Sequence, residues 1–117
     1  MKGAFSFAFV VALVATRGLA QTSPGADLFE DRCAMCHLPA GAGQGPSLTG
    51  VVGRKAGTLR GFAYTPALKA SGLTWTSATL DRFLTNPGSL VPGTAMAVRI
   101  NDAAQRAALI HYLAERR

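Results

Sequence analysis

Apolar positions in this chain fall into four groups, separated by long stretches rich in glycine, proline and polar residues. The first is a predominantly apolar run of twelve residues from Ala4 to Ala15. In the second, Phe29, Cys33 and Cys36 recur at i, i+4 and i+7, which is one face of a helix. Ser23 as N-cap and Pro24 at the first helical position open that helix. In the third, Leu80, Phe83 and Leu84 form a stripe on a helix capped by Thr76 or Ser77 and ended by Asn86-Pro87-Gly88. The fourth group, Leu109, Ile110 and Leu113, gives the buried face of a last helix. Asn101 caps it, Asp102 lies in its first turn, and Arg116 and Arg117 end it, in keeping with the helix dipole. A shorter helix opens at Thr65-Pro66 and stops at Gly72. Leu38 to Arg60 holds eight glycines and prolines among 23 residues and reads as loop, as does Leu90 to Val98. Strand-like alternation is nearly absent, so the class is all-α.

The first apolar run stands apart from the others. Met1-Lys2 gives it a positive start, and Gly18-Leu19-Ala20 supplies the small residues of a cleavage site after Ala20. Twelve residues make roughly 18 Å of helix against about 30 Å of hydrocarbon, so a cleaved export leader is favoured over a retained anchor. The expected organisation is a signal peptide over 1–20 and one domain over 21–117. Export places the protein in the periplasm of a Gram-negative bacterium, with no stable membrane insertion after cleavage. Losing Lys2 and Arg17 with the leader lowers the formal net charge from +6 to +4. That balance suits acidic protein surfaces. No stripe of Lys and Arg interleaved with aromatics is present, which argues against nucleic acid.

The densest chemistry lies in Cys33-Ala34-Met35-Cys36-His37. C-x-x-C-H is the covalent attachment pattern of a c-type haem. Residues i and i+3 on a helix share a face, so both sulfurs reach one porphyrin edge, and the next imidazole turns onto the iron. Three rivals exist. A structural disulfide this tight closes almost no chain and contributes little. A thioredoxin-type redox pair calls for a βαβ setting that the pattern does not supply. A closed zinc site would need Cys33, Cys36, His37 and His111 together, and adjacent Cys36 and His37 share one tetrahedral ion with difficulty. A second iron ligand is found by elimination. Met35 sits between the cysteines on the side of His37, which leaves Met96 in the turn-rich run Val91-Pro92-Gly93-Thr94-Ala95-Met96. A methionine there could instead fill a gap in the core. His111 is the competing ligand, on the last helix beside Tyr112.

From about Gly25 to Leu113 the chain resembles a small class I cytochrome c, of the bacterial kind similar to the mitochondrial protein. The stretches that carry the likeness are Gly25-x-x-x-Phe29, Cys33-x-x-Cys36-His37, Gly45-Pro46-Ser47-Leu48, Gly53-Arg54-Lys55, Gly61-Phe62-Ala63-Tyr64-Thr65, Trp75, Asn86-Pro87, Pro92-Gly93-Thr94-x-Met96 and Leu109-Ile110-x-Tyr112-Leu113. The resemblance implies a cytochrome c fold, with three main helices and long loops wrapped around one covalent haem c. It further implies that the first and last helices cross closely, with Gly25 allowing the approach and Phe29 packing toward Leu109 and Tyr112.

The same resemblance implies a site. His37 would be the proximal ligand and Met96 the distal one. The Pro46 carbonyl would accept the second ring N–H of His37. Arg54, Tyr64 and Trp75 would hold a buried propionate, and the Thr94 hydroxyl would bind a propionate or brace the loop. Phe83 would line the haem where the mitochondrial type often has a Tyr, and Leu68 stands where that type often has an Asn. Val98 lies where it has an aromatic lid. The segments from His37 to Gly45 and from Met96 to the last helix are shorter. The implied function is that of a soluble, monomeric one-electron carrier, not an enzyme, passing electrons between redox protein partners with acidic docking surfaces.

Overall fold

The computed structural model describes Gly3, Ala4, Ala12 and residues 22–117. The expected leader over 1–20 therefore lies almost wholly outside the described residues. Five helices follow one another: α1 (Pro24–Arg32), α2 (Pro66–Ala70), α3 (Ser77–Thr85), α4 (Pro87–Leu90) and α5 (Ala103–Glu115). Among the described residues there is no strand, only an isolated antiparallel bridge between Lys55 and Thr74. Three helices are long and two are single turns, so the all-α expectation holds.

Helix boundaries follow from side-chain caps. The Ser23 hydroxyl accepts from Ala26 N–H at 3.2 Å, with Pro24 in the first turn of α1. Asp27 and Arg32 then occupy the ends of α1 that suit the dipole. Thr65 caps α2, and Gly72 beyond its end has φ +67°, a conformation that costs glycine nothing. Thr76 caps α3 with a reciprocal box: Thr79 N–H donates to the Thr76 hydroxyl at 3.2 Å, and Thr76 N–H donates to the Thr79 hydroxyl at 2.8 Å.

Three local expectations need correction. The first helix ends at Arg32, so Cys33 is its C-cap and Cys36 lies beyond it. Bonds from Cys36 N–H and His37 N–H back to the Cys33 carbonyl, 3.2 and 2.9 Å, add one more turn to the end of the helix. Asn86 does end α3, yet its side chain accepts from Ser89 N–H and starts α4 at Pro87. The cap of α5 is Asp102, whose Oδ1 accepts from Gln105 N–H at 2.8 Å, one residue later than Asn101.

The core joins all three long helices. Phe29 from α1, Leu80, Phe83 and Leu84 from α3, and Leu109, Ile110 and Leu113 from α5 are buried together with Trp75, Val91 and Ile100. No polar or charged residue is buried among the described residues. Each fully buried aliphatic side chain contributes roughly 1.5–3 kcal/mol, which a domain of this size needs. α1 crosses α5 at Gly25, where a Cβ would lie 2.7 Å from Tyr112 Cβ and run into the Ala108 carbonyl. The Phe29 and Tyr112 rings meet one turn later at 5.3 Å, and the Arg116 guanidinium covers both.

Gly25→Ala is expected to lower stability by about 1–3 kcal/mol through overpacking, although alanine is the better helix former by about 1 kcal/mol. His111→Ala should stay within about 0.5 kcal/mol, because that side chain is 77% exposed. Guanidinium unfolding midpoints of the two variants check the pair.

Candidate haem site

The attachment turn hangs from the end of α1. Cys33 N–H donates to the Phe29 carbonyl at 2.8 Å, which sets the cysteine down beside the core against which it packs. Burial pushes the Cys33 thiol up to about 11; Arg32 opposes the rise and Cys36 adds to it. The sulfur is thus held as a neutral thiol in an apolar setting. Cys36 Sγ reaches Gln44 Oε1 at 3.8 Å. Both sulfurs are free thiols.

His37 is the best-fixed side chain of the site. Its Nδ1 lies 2.7 Å from the Pro46 carbonyl, and a carbonyl can only accept. The proton therefore belongs on Nδ1, which leaves the Nε2 lone pair free to bind a metal. Gly45 packs under the ring, where a Cβ would lie 2.6 Å from Nδ1. Gly45 N–H also donates to the Cys36 carbonyl at 2.9 Å, closing the short loop back onto the motif. The loop is thus shaped to the imidazole.

Met96 approaches from the other end of the chain. It is half-buried and packs on the same apolar cluster as Cys33. Thr94 N–H donates to the Val91 carbonyl at 3.0 Å, and Met96 N–H donates to the Thr94 hydroxyl at 3.4 Å, so that hydroxyl braces the loop. Met35 points away, 89% exposed. His111 is exposed on α5 and pairs with Glu115 at 3.2 Å. Among the described residues no cluster of three or more His, Cys, Asp or Glu could hold a metal, so the zinc alternative lacks a donor set.

The remaining expected residues lie in three places: Trp75 and Phe83 in the core, Arg54 beside the Pro46 segment, and Tyr64 against Phe62. Trp75 is buried, and its ring meets Phe83 at 4.9 Å. Trp75 N–H donates to the Arg54 carbonyl at 2.9 Å, which joins those two segments. Arg54 is half-buried, with donors on the carbonyls of Ser47 (3.1 Å) and Thr49 (3.3 Å), next to Pro46. Tyr64 stands edge-on to Phe62 at 4.9 Å. Two contributors were not read from the sequence as acting here: Gln44 on the Cys36 sulfur, and Gly45 beneath the ring.

The residues present fit a covalent haem. Two thiols three residues apart can form thioethers, a glycine cradle admits one imidazole with Nε2 free, and a braced loop carries a second soft donor.

Comparison with known proteins agrees with this chemistry. The family model described as Cytochrome c matches residues 22–116. The chain is similar to "Cytochrome c" of Cochliobolus lunatus, 50% identical over 76 residues, covering 62% of this chain and 70% of that protein. It is also similar to "Cytochrome c2" of Rhodomicrobium vannielii, 47% identical over 87 residues, covering 71% of this chain and 70% of that one. Among solved structures it matches cytochrome cH from Methylobacterium extorquens with a TM-score of 0.73 and 43% identity, covering 78% of this chain and 94% of that chain.

Replacing Cys33 and Cys36 by Ala should leave no haem attached to the chain after acid-acetone extraction, while the unaltered protein keeps its full complement. Mass spectrometry of the intact chain measures this directly.

Proposed function

We propose, on the premise that this chain belongs to the cytochrome c family, that it carries single electrons in an exported compartment with His37 and Met96 as the iron's two protein ligands. Haem c is its cofactor and electron transfer its activity. When bound, the haem supplies an iron that alternates between Fe(II) and Fe(III), a change of one electron and no atoms. What the chain's own residues do follows from their placement. Cys33 and Cys36 would supply the sulfurs of the two thioether tethers. His37 presents Nε2, because the Pro46 carbonyl holds its proton at Nδ1. The apolar wall of Trp75, Phe83 and Leu80 excludes water, which keeps the charge change in a medium of low dielectric.

Tyr64, Trp75 and Arg54 would face a propionate, a carboxylate that needs donors once it leaves water. Arg54 can take part without abandoning Ser47 and Thr49, since a guanidinium has five N–H donors. His37 and Met96 would both be donors to the iron, and two donors from this chain would leave little room for a substrate there, which favours a carrier over an enzyme. The single observation that carries the reading is the Nδ1 bond of His37 to Pro46 above Gly45, which leaves one imidazole nitrogen free beside two unpaired thiols.

Residues 1–20 support export by their pattern, and among the described residues no helix is long and apolar enough to cross a membrane. Redox partners with acidic surfaces suit the cations near the ligand segments. Arg32 directly precedes the attachment motif, and its Nη2 donates to the carbonyl of Arg99 at 3.2 Å, just downstream of Met96. Both side chains are exposed.

Met96→Ala should lower the reduction potential and let carbon monoxide bind the ferrous protein, as measured by potentiometry and absorption spectra. A variant with the original potential and no carbon monoxide complex would remove Met96 as the ligand. Electron transfer to an acidic partner should slow as salt rises, and more weakly in an Arg32→Gln, Arg99→Gln variant. Rates unchanged from low to high ionic strength would instead argue for an apolar docking face.

A further inference from the structure

Between Met96 and α5 the chain makes no regular structure of its own. It is pinned at its far end. Ile100 is 1% exposed, and its N–H donates to the Leu84 carbonyl on α3 at 2.8 Å. The carbonyls of Ile100 and Asn101 are both taken by Arg106 Nη1, at 2.9 and 3.1 Å. Arg106 stands in the second turn of α5, and its Nε donates to Asp81 Oδ1 of α3 at 2.7 Å. The arginine side chain is 12% exposed and the carboxylate 47%. One guanidinium thus fastens two helices to the end of the loop that carries Met96.

We propose that the Asp81–Arg106 pair is a latch on this loop, which makes both residues positioning residues for Met96. The inference rests on Met96 being the distal ligand. A thioether is a neutral, weak donor, so its hold on iron depends on how tightly the chain confines it. Three residues separate Met96 from Ile100, a span of at most about 14 Å when extended. With Ile100 pinned, the sulfur explores a small volume and its effective concentration is high. Asp81 matters because it orients the fork. Without its charge the guanidinium is free to turn away from the two carbonyls. Removing Arg106 leaves those carbonyls without a partner. The guanidinium itself is mostly buried, and charge-assisted bonds are stronger than neutral ones.

A merely structural cross-link between α3 and α5 would change stability alone. The latch predicts a change in ligand exchange at the iron. The ferric holoprotein is titrated with imidazole, and loss of the iron–thioether absorption band reports displacement of Met96. Asp81→Asn should bind imidazole about fivefold more tightly, and Arg106→Met more tightly still. Arg106→Lys should resemble Arg106→Met, because an ammonium cannot span the carboxylate and both carbonyls. Leu113→Ala, two turns further along α5 in the core, should lower the unfolding midpoint and leave the imidazole constant unchanged. If Asp81→Asn binds imidazole as the original protein does, or if Leu113→Ala shifts the constant as much, the latch is overturned. Asp81→Asn carries the test should Arg106→Met fail to fold. A Met96→Ala protein that kept the original band would overturn the ligand assignment, and the latch with it. Loss of that band with an unmoved Asp81→Asn constant would overturn the latch alone.

Discussion

The close crossing of α1 and α5 at Gly25 is the contact on which the rest of this molecule depends. It removes every atom beyond Cα from the point of approach, so that the backbone of α1 lies on Ala108 and Tyr112. Phe29 then enters the core one turn later, and the C-cap of α1 delivers Cys33 to the edge of that core. The opposite partner, α5, carries Arg106 near its start, and this side chain holds the end of the Met96 segment. One helix pair thereby places the start of one ligand-bearing segment and the finish of the other. Neither segment has enough regular structure to place itself.

Two kinds of restraint operate on the two proposed ligands. His37 is held by a short local loop, with the Pro46 carbonyl on Nδ1 and Gly45 beneath the ring. Its geometry depends on residues within nine positions of it. Met96 is held at a distance, through Thr94 on one side and Ile100 on the other. Local restraint defines a tautomer and a ring plane, whereas the remote restraint acts by confinement. A strong imidazole donor tolerates some freedom, and a weak thioether does not.

The absence of buried polar side chains among the described residues gives the interior its electrostatic character. Phe83 against Trp75, in one cluster with Leu80, Leu84 and Ile110, offers no hydroxyl or amide. Polar chemistry is kept at the margin, where Arg54 is anchored to carbonyls and Tyr64 is only half-buried. Burial also explains why Cys33 is held neutral. The arrangement favours a charge change that is small in its reorganisation, as a carrier requires.

Much of the architecture was legible in short-range pattern. The spacing of Leu80, Phe83 and Leu84, and of Leu109, Ile110 and Leu113, marks buried faces because a helix repeats every 3.6 residues whatever surrounds it. The attachment motif and the expectation of Met96 rather than Met35 likewise rest on neighbours in the chain. Tertiary contacts decided what local rules left degenerate. Asn101 and Asp102 are both good caps, and α5 starts from Asp102 while Asn101 lends its carbonyl to Arg106. The first helix stops at Arg32 although its apolar period runs on, because the following turn folds back to meet Gly45. No spacing rule could pair Arg106 with Asp81, 25 residues away, since their meeting depends on how α3 packs against α5. Sequence by itself determines which residues can cap, bury or bind, because those are properties of a side chain and its near neighbours. Which of them meet is decided only when the chain closes on its core, because a contact between distant segments has no energy until both are in place.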